Sequence, residues 1–139
     1  MKTFKGKYVI INKKKYIGKN EPIYRSSWEY NFMRYLDMHP NVINWASESI
    51  KIPYRSPLTG KYTIYIPDFF VSVIDKNGKK RNYLIEIKPL SQSVITEAKS
   101  KNDKMQNLIN QAKWKAAEVW CKIYNIEFKI ITEKQIFSF

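Results

Sequence analysis

The sequence predicts an α/β domain in which helices flank a mixed four-stranded β-sheet. Two segments with apolar residues at helical spacing, at about 27–38 and 103–124, predict two helices. Runs rich in β-branched and aromatic residues lie between and after them, which gives the order helix, three strands, helix, strand. The chain has 139 residues and is 44% hydrophobic, enough for one domain with one core. We place that core at residues 25–132, after a basic extension at residues 1–24.

The first helix is predicted at residues 27–38, before a stop at Pro40. Ser26 and Glu29 have the spacing of a capping box, in which the serine caps the helix and the glutamate reaches back to the serine N–H. Spacing alone therefore favours a structural role for Glu29, without excluding another. The apolar face of this helix contains Trp28, Phe32, Tyr35 and Leu36.

The first strand is predicted at residues 42–54, where apolar and polar residues alternate loosely as far as Pro53. Residues 55–61 include Pro57 and Gly60 among polar residues, a composition typical of a turn. The sheet is therefore expected to be antiparallel up to this point.

The stretch from Tyr62 to Pro89 is predicted to form the next two strands, joined by a turn at residues 75–78. Asp68 interrupts the apolar run of the first of these strands, where an acid is not expected. On the second, the alternation of side chains places Glu86 and Lys88 on one face. Two carboxylates and an ammonium group can therefore share one place.

The length of the turn decides whether they do. With a two-residue loop, Asp68 would lie opposite Ile87, whose side chain points to the other face. With a three-residue loop that ends at Gly78 with positive φ, Asp68 lies opposite Glu86. A shared site predicts the longer loop, or else a bulge near Pro67, which has no N–H for the ladder.

Such a cluster suits Mg²⁺, which is usually held by one or two carboxylates together with phosphate oxygens of the substrate. Asp68 and Glu86 would supply the carboxylates, and Lys88 would assist the attacking water or stabilise charge on the phosphate. A simpler interpretation also exists. Glu-x-Lys is common on solvated strands as an ion pair, and Pro-Asp is a common turn dipeptide.

The second helix is predicted at about residues 103–124 and would be reached through a polar connection after Pro89. Its polar face carries lysines that are either solvated or in contact with phosphates. A strand at Glu127–Thr132 follows and should lie parallel to the strand of Glu86, because a helical crossover joins them. Residues 133–139 have no predicted role. The predicted apolar face of the helix contains Met105, Leu108, Ile109, Ala112, Ala116, Val119, Trp120 and Ile123.

The net charge of +13, from 25 Lys and Arg against 12 acidic residues, favours a polyanion such as nucleic acid as the partner. Residues 1–24 contain lysines interleaved with Phe4, Tyr8 and Tyr16, which predicts either an arm that contacts phosphates or a solvated extension.

Cys121 and His39 are the only residues of their kinds, which excludes an internal disulfide, the cysteine-based zinc motifs and a two-histidine metal site. We identify neither a signal peptide nor a membrane-spanning segment, and expect a protein of a reducing cytoplasm.

The element order and the motif together resemble the PD-(D/E)xK nuclease superfamily, whose shared core is αβββαβ, the restriction-endonuclease-like fold. The signature corresponds to Pro67 and Asp68 followed by Glu86, Ile87 and Lys88, and the likeness spans about residues 25–132. The resemblance implies that Asp68 and Glu86 bind Mg²⁺, or Mn²⁺ in its place. It further implies that Lys88 assists hydrolysis and that Glu29, on the first helix, completes the site and the metal ligands.

Within that superfamily the chain is most similar to the head completion nucleases of T4-like phages. This implies DNA as substrate, phage head or neck proteins as partners, and action in an infected bacterium or on the virion. We assign DNA binding to Arg25, Arg55 and Lys113. The choice between a monomer and a homodimer is left open. The likeness is carried by Tyr24–Glu29, Ile52–Gly60, Ile64–Phe69, Leu84–Pro89 and Ala112–Cys121.

Three alternatives are kept. One is a basic DNA-binding or head-assembly protein that does not cut, and another is a resolvase-like endonuclease. The third is a TnsA-like endonuclease, a more distant resemblance because such transposon enzymes often have glutamine in place of Glu86.

Overall fold

A computed structural model of the chain describes residues 5–88, 100–132 and 134–135. Pro89, most of the predicted polar connection, residues 1–4 and most of 133–139 lie outside the described residues. In chain order, the elements are β1 (Gly6–Lys7), β2 (Ile23–Tyr24), α1 (Ser27–Met38), β3 (Val42–Ser47), β4 (Ile52–Arg55), β5 (Tyr62–Tyr65), β6 (Phe69–Ile74), β7 (Lys80–Ile87), α2 (Lys101–Ile123) and β8 (Glu127–Ile131).

The predicted mixed sheet of four strands is confirmed. Its spatial order is β3-β6-β7-β8. The first three strands pair antiparallel, and β8 pairs parallel to β7 because α2 carries the chain back across the sheet between them. The two predicted helices agree with α1 and α2 to within about two residues at each end.

The predicted strand at 42–54 is wrong as one element, and so is the strand that was to contain Asp68. The first divides into β3 and β4 at Glu48, which has φ 47 and so leaves the extended conformation. The second divides into β5 and β6 at Ile66–Asp68, where Pro67 cannot donate to a ladder. The halves β4 and β5 pair with each other, and we call this two-stranded unit the β4–β5 ribbon.

The two helices cover opposite faces of the sheet. On one face α1 buries Phe32, Met33 and Leu36 against residues that include Trp45 and Ile85. On the other, α2 buries Ala117 and Cys121 against Leu84 and the inner side of the β4–β5 ribbon.

The predicted apolar face of α2 is partly wrong. Ala112, Ala116 and Trp120 do pack on the core, but Leu108, Val119 and Ile123 are half exposed or more. The fully buried positions are Ala117 and Cys121, whose small side chains allow the helix to lie close to the sheet.

Residues 5–24 pack onto the core, although their lysines are mostly exposed. Asp37 of α1 is fully buried and accepts hydrogen bonds from the Tyr8 hydroxyl at 2.7 Å and from the N–H groups of Ile11 and Asn12 at 2.8 and 2.9 Å. Tyr16 forms a parallel bridge to Trp45 on the open edge of β3. Neither helix among the described residues is long and apolar enough to cross a bilayer.

Candidate active site

The β6–β7 hairpin sets the register that creates the site. Its loop has three residues, because Asp75 N–H donates to the Lys79 carbonyl at 2.9 Å and Gly78 has φ 73. This is the longer of the two predicted loops. The ladder continues to the pair Phe69 and Ile85, so the next residue back, Asp68, lies opposite Glu86.

Asp68 lies just before β6, at the end of the sheet where β7 finishes. One of its carboxylate oxygens accepts the Ile87 N–H at 2.8 Å, and its carbonyl accepts the Glu48 N–H at 2.9 Å. Burial raises the pKa of this carboxyl well above its usual range, and the nearby charges of Glu86 and Glu29 raise it further. Asp68 is thus fixed in place near two other acids, whose effect the charge of Lys88 partly opposes.

Glu86 is almost completely buried, with 9% of its surface exposed. One carboxylate oxygen accepts the Tyr65 hydroxyl at 2.9 Å, and the other lies 3.5 Å from the Lys88 ammonium nitrogen. Burial raises the pKa of Glu86, while Lys88 and the Tyr65 hydrogen bond oppose that effect. The alternation that placed Glu86 and Lys88 on one face is consistent with this contact.

Tyr65 is a site residue that the sequence analysis missed. In a continuous strand, Tyr65 and Asp68 would point to opposite faces, since three residues separate them. The break at Pro67 allows both to approach Glu86. Trp114 of α2 lowers the pKa of Tyr65 and so opposes the effect of burial, and the Lys113 ammonium lies 5.6 Å from the centre of the Tyr65 ring.

Glu29 reaches the site from the start of α1. Half of the predicted capping box is present, because the Ser26 hydroxyl accepts the Glu29 N–H at 3.1 Å. The Glu29 carboxylate, however, accepts a hydrogen bond from the Ser26 hydroxyl at 3.4 Å, and the Arg25 backbone lowers its pKa. Burial raises the pKa of Glu29, opposed by the charge of Arg25, whose guanidinium pairs with Glu48. Glu48 is a further acid that the sequence analysis did not single out.

Comparison with known proteins assigns the chain to a family. The family model described as TnsA-like endonuclease N terminal matches residues 39–133, more than half of the chain. The chain belongs to this family. It is also 35% identical to the head completion nuclease of Enterobacteria phage T4, in an alignment that covers 94% of this chain and 92% of the phage protein.

The matched segment of the TnsA-like endonuclease domain contains Asp68, Glu86 and Lys88, and it begins after Glu29. Both resemblances drawn from the motif, to the TnsA-like enzymes and to the T4-like nucleases, are therefore confirmed. The chain is a member of an endonuclease family with the fold expected from its element order.

The carboxylates of this TnsA-like domain are suited to a divalent cation as a pair. Asp68 and Glu86 supply oxygen ligands, and their mutual repulsion, which raises the pKa of Asp68, is what a bound cation would relieve. Within residues 5–88, 100–132 and 134–135, no three Asp, Glu, His or Cys side chains form a group that could hold a metal. Glu29 therefore raises the pKa of Asp68 through its charge but does not form a three-acid group with Asp68 and Glu86.

The three basic residues assigned to DNA binding lie in two places. Arg25 and Lys113 are beside the acids, since Arg25 interacts with Glu29 and Asp68, and Lys113 lowers the pKa of Glu86. Arg55 is at the far end of the β4–β5 ribbon, where its side chain donates to the Gly60 carbonyl at 2.9 Å.

Proposed function

We propose that the protein is a Mg²⁺-dependent DNA endonuclease in which Asp68 and Glu86 hold the metal. The observation that supports this most directly is the hairpin register, which sets these two acids opposite each other beside Lys88. Membership of an endonuclease family agrees with that chemistry. Mn²⁺, which also accepts oxygen ligands, should replace Mg²⁺.

The side chains have separate tasks in hydrolysis. The Ile87 N–H and the Tyr65 hydroxyl orient the two carboxylates. The Lys88 ammonium stabilises negative charge that develops on the attacked phosphate, and Glu29 orients the attacking water or a second ion. Water displaces the leaving oxygen in line, without a covalent enzyme intermediate. When bound, Mg²⁺ would supply Lewis-acid stabilisation of the phosphate oxygens.

The substrate and biological role follow from charge and similarity. A chain with net charge +13 attracts the phosphate backbone of DNA. Because the similarity to the T4 head completion nuclease covers nearly all of both chains, we propose the same role in phage head completion, in an infected bacterium. Phage head or neck proteins are then the expected protein partners.

A plasmid-nicking assay with Mg²⁺ and with EDTA tests the proposed chemistry. Wild type should nick only with Mg²⁺, and Glu86→Ala and Lys88→Ala should each lose at least about a hundredfold in rate. Lys80→Ala, which removes one charge from the far end of the same strand, is the matched control and should retain activity. Nicking by both site variants, or in EDTA, would refute the assignment. DNA binding without any nicking by wild type would favour the non-catalytic alternative.

Substrate preference needs a second assay. If one site serves all three substrates, wild type should cut linear, circular and branched DNA, and Asp68→Ala should cut none of them. A substrate still cut by Asp68→Ala would reveal another nuclease or another site.

A further inference from the structure

The β4–β5 ribbon has an outward face with no partner in the described part of the chain. Residues that are directly paired across antiparallel strands share a face, and the pairs here are Pro53 with Ile64 and Arg55 with Tyr62. All four side chains are exposed, Tyr62 by 77% and Ile64 by 55%. On the opposite face, Ile52, Tyr54 and Tyr65 are buried against α2.

The ribbon is also strictly basic. Residues 51–66 contain Lys51, Arg55 and Lys61 and no acidic residue. No ion pair is formed by any of the three in the described structure, in contrast to Arg25, which pairs with Glu48. Exposed apolar side chains framed by cations complement DNA, whose major groove offers base edges and thymine methyl groups between rows of phosphates.

The ribbon is attached directly to the candidate active site. Its last residue, Tyr65, donates the hydrogen bond that orients Glu86. Tyr62 is three residues earlier on the same strand, a distance of about 10 Å. The Tyr62 and Ile64 side chains point to the opposite face of the strand from Tyr65, but they lie within about 10 Å of it along the strand, which is less than the width of the major groove. A duplex that presents a phosphate to Glu86 and Lys88 can therefore also contact them.

We propose that the outward face of the β4–β5 ribbon enters the major groove of duplex DNA beside the bond that is cut. This rests on the proposed function. The major groove is about 12 Å wide and admits a two-stranded ribbon. Tyr62 and Ile64 contact base edges and thymine methyl groups there, while Lys51, Arg55 and Lys61 contact the flanking phosphates. The ribbon thus contributes both affinity and the sequence preference of the enzyme.

Binding can be measured without cutting, by fluorescence anisotropy of wild type and variants in EDTA with a labelled duplex about three helical turns long. Tyr62→Ala should weaken binding by about tenfold and leave the salt dependence unchanged, because it removes an uncharged contact. Arg55→Ala should also weaken binding, but with a salt slope smaller by about 1, because it removes a phosphate contact. The matched control is Ile123→Ala, which removes a side chain that is 72% exposed on α2 and should bind like wild type.

Competition with groove-specific ligands shows whether the ribbon occupies the major or the minor groove. The major-groove ligand methyl green should displace the protein, and the minor-groove ligand netropsin should not. The proposal would be overturned if Tyr62→Ala bound the duplex as tightly as wild type. It would also be overturned if this variant lost as much affinity for a single strand as for the duplex, or if netropsin alone displaced the protein. So would a dimer in sedimentation that dissociates in Tyr62→Ala, because the face would then be a contact between copies. Failure of nicking by wild type would refute the nuclease but leave this binding comparison intact.

Discussion

The Tyr65 hydroxyl holds one oxygen of Glu86, and this is the residue-scale contact that most directly links the ribbon to the acids. Replacing Tyr65 by Phe leaves the ring in place and frees the carboxylate to rotate. We expect Tyr65→Phe to cut about tenfold more slowly and to need more Mg²⁺, because a lost hydrogen bond to a charged group costs about 1.5–3 kcal/mol. Tyr54→Phe, buried on the same ribbon, is the control for nicking assays at several Mg²⁺ concentrations. Equal activity of the two variants would exclude the positioning role.

Asp68 should destabilise the metal-free fold at neutral pH. Its pKa in the folded protein is raised by burial and by the charge of Glu86, so the folded state binds the proton more tightly than the unfolded chain. The resulting stabilisation is complete below the unfolded pKa of 3.8 and is lost as the pH rises through the folded pKa.

Asp68→Asn keeps an oxygen to accept the Ile87 N–H and carries no charge. In EDTA at neutral pH we therefore expect this variant to be more stable than wild type by about 1 kcal/mol, or about 3 °C in Tm. The difference should vanish near pH 4, and added Mg²⁺ should stabilise wild type but not Asp68→Asn. Thermal unfolding across this pH range is the measurement, and a variant less stable than wild type at every pH would contradict the argument.

At the scale of elements, the hairpin turn places the acids in register. Asp75 accepts the N–H groups of Asn77 and Lys79, both at 2.9 Å, and the Arg81 guanidinium at 2.7 Å. The Arg81 hydrogen bond is the main reason that the pKa of Asp75 is lowered. Its stabilising contribution is therefore present above the unfolded pKa of 3.8 and is lost as the pH falls through the lower folded value.

Asp75→Ala should lower Tm at neutral pH, and the difference from wild type should shrink in acid. Nicking should fall as well, since the turn determines which residue lies opposite Glu86. Asp103→Ala, at the start of α2, is a control for loss of one exposed acid. A Tm difference that did not depend on pH would mean that the carboxylate charge of Asp75 is unimportant to the turn.

The elements that are determined by local sequence pattern were predicted. The features that depend on which strand or helix packs against them were not. Alternation and turn composition predict the β6–β7 hairpin and the shared face of Glu86 and Lys88. The loop length that sets Asp68 opposite Glu86 was left open between two and three residues, and the structure has the longer loop. The division of strands at Glu48 and Pro67 was missed, because both halves of each strand have the same composition and differ only in pairing partner. The buried stripe of α2 was missed because Ala117 and Cys121 are small, while the larger Val119 and Ile123 dominate any apolar pattern.

At the scale of the whole molecule, the acids are concentrated where the phosphate must react. Glu29, Glu48, Asp68 and Glu86 are four of only 12 acidic residues in a chain of net charge +13. The basic surface attracts DNA over long range, whereas the Asp68 and Glu86 pair, with the charge of Glu29 nearby, repels the scissile phosphate until a cation compensates it. Binding of DNA at the reacting position and binding of Mg²⁺ should therefore strengthen each other.

Salt concentration should affect DNA binding much more than it affects the groups that react with the bound phosphate. Attraction of DNA to the basic surface releases counterions and weakens steeply with salt, so KM should rise by about a thousandfold or more between 50 and 200 mM salt if six or more phosphates are contacted. The buried contacts of Glu86 with Tyr65 and Lys88 are screened far less, so kcat with saturating DNA and Mg²⁺ should change by less than about threefold. Initial rates over a range of DNA concentrations at each salt concentration give both constants. A kcat that fell in parallel with DNA affinity would mean that the reacting groups are exposed to solvent ions, contrary to the buried site formed by these residues.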